Sequence, residues 1–294
     1  MAGTKEIKDR IKSIKDTQKI TNAMYLISST KLRKARKNLE ETEPYFYGLQ
    51  LMISRLVRHL PNLEHPFLES REEKPDEERI HGYLVITADK GLAGAYNHNV
   101  LKMTEEHLKM HDRTKLYVVG ELGRQYFEAR NIQIDGQFLF TAQNPTMHRA
   151  RIIREKLLQD YFDHELDELY IVYTVMKNSM EDEACFEQLL PLKAAMKITT
   201  PADVFQEEFL TEPSPEAILD AIVPNYLSGF IYSALVESFC SEQNSRMIAM
   251  QNANDSANKL LHTLNIQYNR RRQAAITQEI TEVCAGARAQ QGNI

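Results

Sequence analysis

The chain has 294 residues, a formal net charge of -5, 43% hydrophobic residues and 26% charged residues. That is enough apolar material for one sizeable core or two small ones, and it excludes a disordered tail. No run approaches the ~20 consecutive apolar residues that span a bilayer. The three cysteines, Cys185, Cys240 and Cys284, lie far apart without CxxC or Cys/His zinc spacing, so three reduced thiols are expected.

Charge is unevenly placed. Residues 1–40 hold 11 Lys/Arg against 4 Asp/Glu and residues 246–294 hold 6 against 3, which leaves the stretch between them at -15. Basic ends suit nucleic acid, anionic lipid or an acidic protein surface, or they are simply solvated helix faces. The opening Met1-Ala2-Gly3-Thr4-Lys5-Glu6 lacks the apolar core of a secretory signal and runs straight into patterned sequence, so neither a signal nor a transit peptide is expected.

The first element reads as one long helix, with no proline before Pro44. Ile7, Ile11, Ile14, Gln18, Thr21, Tyr25, Ser28, Leu32, Ala35 and Leu39 follow alternating steps of four and three, a heptad seam whose middle is polar or small. Lysines and arginines surround it, among them Lys31, Arg33 and Lys34. The charged run Glu69–Glu78 marks a boundary. Beyond it, Gly82–Thr87, Leu116–Gly120 and Leu169–Thr174 read as buried strands, separated by helical stretches at 100–111, 122–130 and 152–162. That alternation predicts a parallel sheet with crossover helices. Thr211-Glu212-Pro213-Ser214-Pro215 is an exit turn and a helix start. From Asn225 to Gln291 only Gly229 and Gly286 interrupt a second long helix, which extends roughly 100 Å at about 1.5 Å per residue. Its seam is Leu261, Leu264, Tyr268, Arg271 and Ala275, with a second stripe of Ile276, Ile280, Val283 and Ala287 beside it.

The expected fold class is therefore α/β: a long antiparallel coiled coil of N- and C-terminal helices with an inserted Rossmann-like α/β domain. Its parts are a coil helix at 1–60, a linker at 61–78, the globular domain at 79–210 and a second coil helix at 211–294. Neither long helix buries its seam alone, so pairing is the economical solution.

Catalytic and cofactor motifs are missing. Asp89-Lys90-Gly91-Leu92-Ala93-Gly94-Ala95-Tyr96-Asn97 follows the first strand where a phosphate loop would lie, but it is neither GxGxxG nor GxxxxGK[ST], and Asp89 would repel a phosphate. No GxSxG or HExxH occurs. His107 and His111 share the i, i+4 spacing of a metal pair, yet no third ligand is set by the sequence and a surface helix face is the plainer reading. Glu181-Asp182-Glu183 reads as a solvated loop. No aromatic residues interleave the basic run from Lys31 to Lys37, which argues against nucleic acid. No catalytic residue, cofactor or metal site is expected. The residues alone leave open a coiled-coil scaffold and a nucleotide-dependent enzyme built on the middle domain.

Both ends narrow the choice. Arg10-Ile11-Lys12-Ser13-Ile14-Lys15-Asp16-Thr17-Gln18-Lys19-Ile20-Thr21-Asn22-Ala23-Met24, continued by Thr30-Lys31-Leu32-Arg33-Lys34-Ala35, resembles the opening of F-type ATP synthase gamma subunits. Ser245 to Ala253 and Arg272 to Ala287 resemble that family's C-terminal helix, and Thr87 to Asn97 its first strand-turn. Asn22 stands where lysine is usual, and Ala95 replaces a common second glycine. The paired-cysteine insertion of the chloroplast form is absent. The resemblance implies a non-catalytic central rotor shaft, partnered by alpha, beta and epsilon subunits and the membrane c ring, peripheral at the cytoplasmic face of a bacterial membrane without inserting into it. It further implies that Met24, Arg246, Arg272, Gln273, Thr277 and Glu279 meet the alpha/beta ring. Given such a ring, the net charge of +7 over residues 1–40 makes Lys31, Arg33 and Lys34 a basic patch toward acidic beta-subunit surfaces.

Overall fold

The computed structural model describes residues 2–60, 63–68, 74–139, 142–178, 181–192 and 212–291. Its elements are α1 (Ala2–His59), β1 (His81–Ile86), α2 (Tyr96–Leu108), β2 (Thr114–Val119), α3 (Glu121–Glu128), β3 (Gly136–Phe138), α4 (Met147–Phe162), β4 (Glu168–Met176), β5 (Asp182–Leu190) and α5 (Pro215–Gln291). The chain divides into two compact units, residues 1–28 with 247–294, and residues 29–246, so α1 and α5 each contribute to both.

The larger unit is built on a five-stranded sheet in the order β3-β2-β1-β4-β5. β1 pairs in parallel with β2 and β4, placing Leu84 beside Tyr117 and Ile171. Both faces are covered, which is why the central strands read as continuous apolar runs rather than alternating ones. On one face Leu84, Ile86, Tyr117 and Ile171 pack with α4, α5 and the second half of α1, including Ile153, Leu157, Leu227, Ile231 and Ile53. On the other, Tyr83, Val85, Leu116 and Val118 pack with Val100 and Leu101 of α2 and Phe127 of α3.

Two expectations need correction. The sheet is not wholly parallel: β5 runs antiparallel to β4. Glu181-Asp182-Glu183 is not a solvated loop, because Asp182 opens β5 and its half-buried carboxylate accepts a hydrogen bond from the Ser245 hydroxyl. The acidic composition of that strand hid it, since an edge strand tolerates charged residues such as Glu183 and Glu187, a common protection against further pairing.

Both long helices run through a proline, Pro44 in α1 and Pro224 in α5. An interior proline costs about 3 kcal/mol through the lost hydrogen bond and ring clash. Leu219, Val223, Leu227 and Ile231 form a fully buried stripe on both sides of Pro224, and four such side chains, at about 1.5–3 kcal/mol each, outweigh that cost. By length and composition α5 could cross a membrane, but 56% of its most apolar window is buried inside the fold. Ser214 starts α5, its hydroxyl accepting from Ala217 N at 3.2 Å with Pro215 in the first turn, where a missing N–H does no harm.

In the smaller unit the two helix segments are antiparallel. Gln18 Nε2 donates to Asn258 Oδ1 at 2.7 Å, and the Thr21 hydroxyl donates to Asn254 Oδ1, so one number rises as the other falls. Ile7 and Ser28 are buried, and Ile11, Ile14, Gln18, Thr21 and Tyr25 are half-buried, as the seam requires; opposite them lie buried Met250 and Leu261 and half-buried Leu264 and Tyr268. The register exhausts α1 near Ala275. For that reason the stripe of Ile276, Ile280, Val283 and Ala287 is exposed and not part of a paired seam, with Val283 at 72%. Arg271 is exposed as well.

Candidate functional site

Open α/β sheets take ligands in the crevice beyond the carboxyl ends of their strands. Here protein groups fill that crevice. After β1, the Asp89 carboxylate accepts from the Glu121 backbone N–H at 3.0 Å and so occupies the N-terminus of α3, the place a phosphate would take. Asn97 Oδ1 accepts from Ala88 N at 2.9 Å. Tyr96 is buried with its hydroxyl near Ser238, Thr174, Glu242 and Asp182, and that burial pushes the phenol well above its ordinary pKa. From α5, Ser238 accepts from Thr174 N at 3.2 Å, and Ser241 donates to Thr174 O at 3.4 Å.

Arg246, expected as a ring contact, closes this crevice. It is 8% exposed, and its Nη2 donates to Lys90 O at 3.2 Å and Gly91 O at 3.1 Å. Glu242, one turn earlier on α5, pairs with the same guanidinium at 2.5 Å. Burial raises the Glu242 carboxyl, and Arg246 opposes that rise. A sequence signal for this role existed in the Glu242/Arg246 i, i+4 spacing, but nothing local could name the loop that it reaches.

The histidine pair is not a solvated face. His107 stacks on Phe186 at 3.8 Å between centroids and His111 on His81 at 3.7 Å, so both rings belong to an aromatic layer with Tyr83 and Tyr170. Burial lowers the His107 pKa. Among the described residues no group of three or more His, Cys, Asp or Glu side chains is arranged to hold a metal ion.

The basic patch is on the surface of the larger unit. Lys31, Arg33 and Lys34 are exposed on α1. Lys31 and Lys34 border a cavity of about 210 Å³ with Asn38, Asn144, Val236 and Phe239. A larger cavity of about 470 Å³ on the same unit is lined by Glu43, Tyr47, Tyr226 and Glu237. Burial, with Glu187 and Glu43 adding repulsion, holds the Glu237 carboxyl up at about 7, against an ordinary 4.5. The folded chain therefore binds a proton that the unfolded chain releases between those values. This stabilising contribution is complete below about pH 4.5 and is lost as pH rises through about 7. Glu237→Gln, which removes the charge and keeps the shape, is expected to raise stability at about pH 8 by about 1–2 kcal/mol after allowance for solvent screening, with the gain vanishing below about pH 5. Urea unfolding at the two pH values measures it.

In the smaller unit Met24 is half-buried on α1, while Arg272, Gln273, Thr277 and Glu279 are all exposed on α5. Arg272 and Gln273 lie where the pairing with α1 ends, and Thr277 and Glu279 lie on the unpaired extension. These four are exposed on the same stretch as Ile276, Ile280 and Val283.

A family model described as ATP synthase matches residues 3–290. An ATP synthase gamma chain of Caldanaerobacter subterraneus subsp. tengcongensis is 42% identical, covering 97% of this chain and 99% of that one. The sodium ion specific ATP synthase gamma chain of Acetobacterium woodii is 38% identical, covering 97% of each. Among solved structures, a chain of the Euglena gracilis mitochondrial ATP synthase, from an assembly of OSCP, F1 and c-ring, superposes with a TM-score of 0.69 at 16% identity over 99% of this chain and 96% of that one. A filled crevice, a polar-seamed helix pair from opposite chain ends and full-length similarity agree: this chain belongs to the ATP synthase gamma chain family.

Proposed function

We propose that this chain is the central rotor shaft of an F-type ATP synthase, turning with the c ring inside the alpha/beta ring and performing no chemistry itself. The observation that carries the reading is the antiparallel winding of residues 2–28 with 247–275 across a seam of Gln18, Thr21, Asn254 and Asn258. Two paired helices resist twisting better than one. Polar groups across the seam fix its register by directed hydrogen bonds.

The shaft surface is asymmetric, because α5 continues past the start of α1. Each orientation favours a different conformation in each surrounding catalytic subunit, and nucleotide affinity follows by population shift. In this reading Arg272, Gln273, Thr277 and Glu279 meet the ring, and Met24 faces the same contact region. Lys31, Arg33 and Lys34 make screened attractions to acidic beta-subunit surfaces that re-form at each angle. The four parts of the chain, 1–60, 61–78, 79–210 and 211–294, then act as coil, linker, stalk body and coil. The stalk body meets epsilon and the c ring, at the cytoplasmic face of the cell membrane.

Copurification tests the reading as a whole: tagged chain expressed with its operon is expected to bring down alpha, beta and epsilon subunits with ATPase activity, and a chain that elutes alone overturns it. For the basic patch, the combined variant Lys31→Glu, Arg33→Glu and Lys34→Glu is expected to lower ion pumping per ATP several-fold at about 20 mM salt and much less at about 300 mM, where the Debye length is well below 10 Å. A defect of equal size at both salt concentrations argues against the electrostatic role.

A further inference from the structure

The loop after β1 is held more firmly than a surface turn needs. Leu92 sits at φ 65° and is 65% exposed, a left-handed conformation that strains a non-glycine residue and persists only where the surroundings fix it. Asp89 is tied to the start of α3, Asn97 to Ala88 N, and the carbonyls of Lys90 and Gly91 converge on one guanidinium from α5. Arg246 Nε reaches Gly91 O as well, at 3.4 Å. A planar guanidinium that grips adjacent carbonyls and is itself held by Glu242 has little freedom to swing, and at 8% exposure its bonds are shielded from competing water.

We propose that Arg246 is a torque latch: by gripping the Lys90 and Gly91 carbonyls it locks the sheet to α5, so that the α/β body and the C-terminal helix turn as one piece. Burial of apolar side chains resists separation of α5 from the sheet, but it is non-directional. Directed hydrogen bonds from a braced guanidinium resist sliding, since a shift of an ångström or two breaks all of them together. Neighbouring contacts add to the lock in the same place: Ser238 and Ser241 against the Thr174 backbone, and Ser245 against Asp182. Arg246 is a positioning residue here, acting on the loop rather than on any nucleotide.

The latch rests on the rotor reading, and the experiment separates the two. The whole ATP synthase complex is assembled with Arg246→Ala, Arg246→Lys and, with Cys185, Cys240 and Cys284 replaced by alanine, the pair Gly91→Cys and Arg246→Cys. Reconstituted in vesicles, the Arg246→Ala complex is expected to pump about three- to tenfold fewer ions per ATP hydrolysed, with a softer shaft in single-molecule torsion measurements. Arg246→Lys, which reaches one carbonyl without the fork, falls between. Joining Gly91→Cys to Arg246→Cys with a short bifunctional maleimide is expected to restore pumping per ATP and stiffness. Restoration cannot arise if Arg246 works by touching the ring, because the bridge lies wholly within this chain. An unchanged pumping ratio in Arg246→Ala, or a bridge that restores nothing, overturns the latch. Failure of the rotor reading shows differently, as absence of the catalytic subunits from the purified complex.

Discussion

Gly120→Val is expected to destabilise the folded chain by about 3–5 kcal/mol, a large share of the roughly 5–15 kcal/mol that holds a folded domain together. Gly120 has φ 97°, a region closed to side chains with a branched Cβ, and a Cβ built there would lie 2.3 Å from Thr87 O and 2.7 Å from Thr87 Oγ1. Neither atom can retreat. The Thr87 hydroxyl donates to Val119 O at 2.8 Å and accepts from Gly123 N at 3.0 Å, and Thr87 N also donates to Val119 O. The valine must therefore push apart the ends of β1 and β2 where they hold the crevice closed. Gly286→Ala is the control: nothing lies within 4 Å of its Cβ, and a helical alanine gains up to about 1 kcal/mol. Urea midpoints compare the two, and a Gly120→Val loss below about 1 kcal/mol contradicts the packing.

The second large effect is expected at the crossing of α1 and α5 in the larger unit. A Cβ on Gly229 would lie 1.8 Å from the Phe46 ring, so these helices approach as closely as they do because one of them has no side chain there. Gly229→Leu is expected to cost about 2–4 kcal/mol by overpacking. Phe46→Ala alone is expected to cost about 2–3 kcal/mol, since Phe46 is only half-buried beside the core. The two substitutions together are expected to cost less than their sum by at least about 1 kcal/mol, because the cavity left by the ring receives the leucine. Thermal or urea unfolding of the four proteins completes the cycle. Strict additivity argues that Gly229 and Phe46 do not share that space.

The periodic parts of the fold were legible. Alternating steps of four and three placed every α1 seam residue from Ile7 to Leu39 on a less exposed side, because a heptad repeat leaves the helix one face to bury. The three central strands were readable as apolar runs, since a sheet covered on both sides needs apolar side chains at every position. β5 was not, because an edge strand tolerates Asp182, Glu183 and Glu187 and so loses the pattern that marks its neighbours. The stripe of Ile276, Ile280 and Val283 misled for the opposite reason: it has the spacing of a seam, and only the register shows that α1 has ended before it.

The sequence by itself determined two long helices at the ends of the chain, an α/β segment between them, the lack of a phosphate-binding motif and the family. Each of these depends on residue spacing or on local composition, which a linear reading contains. The tertiary structure alone decided that Asp89 fills the α3 N-terminus, that His107 and His111 are stacked in an aromatic layer and that Arg246 grips a loop 155 residues away. Those are meetings between elements distant in sequence, set by the order of strands in the sheet and the register of the long helices, and neither quantity is encoded in any one stretch of the chain.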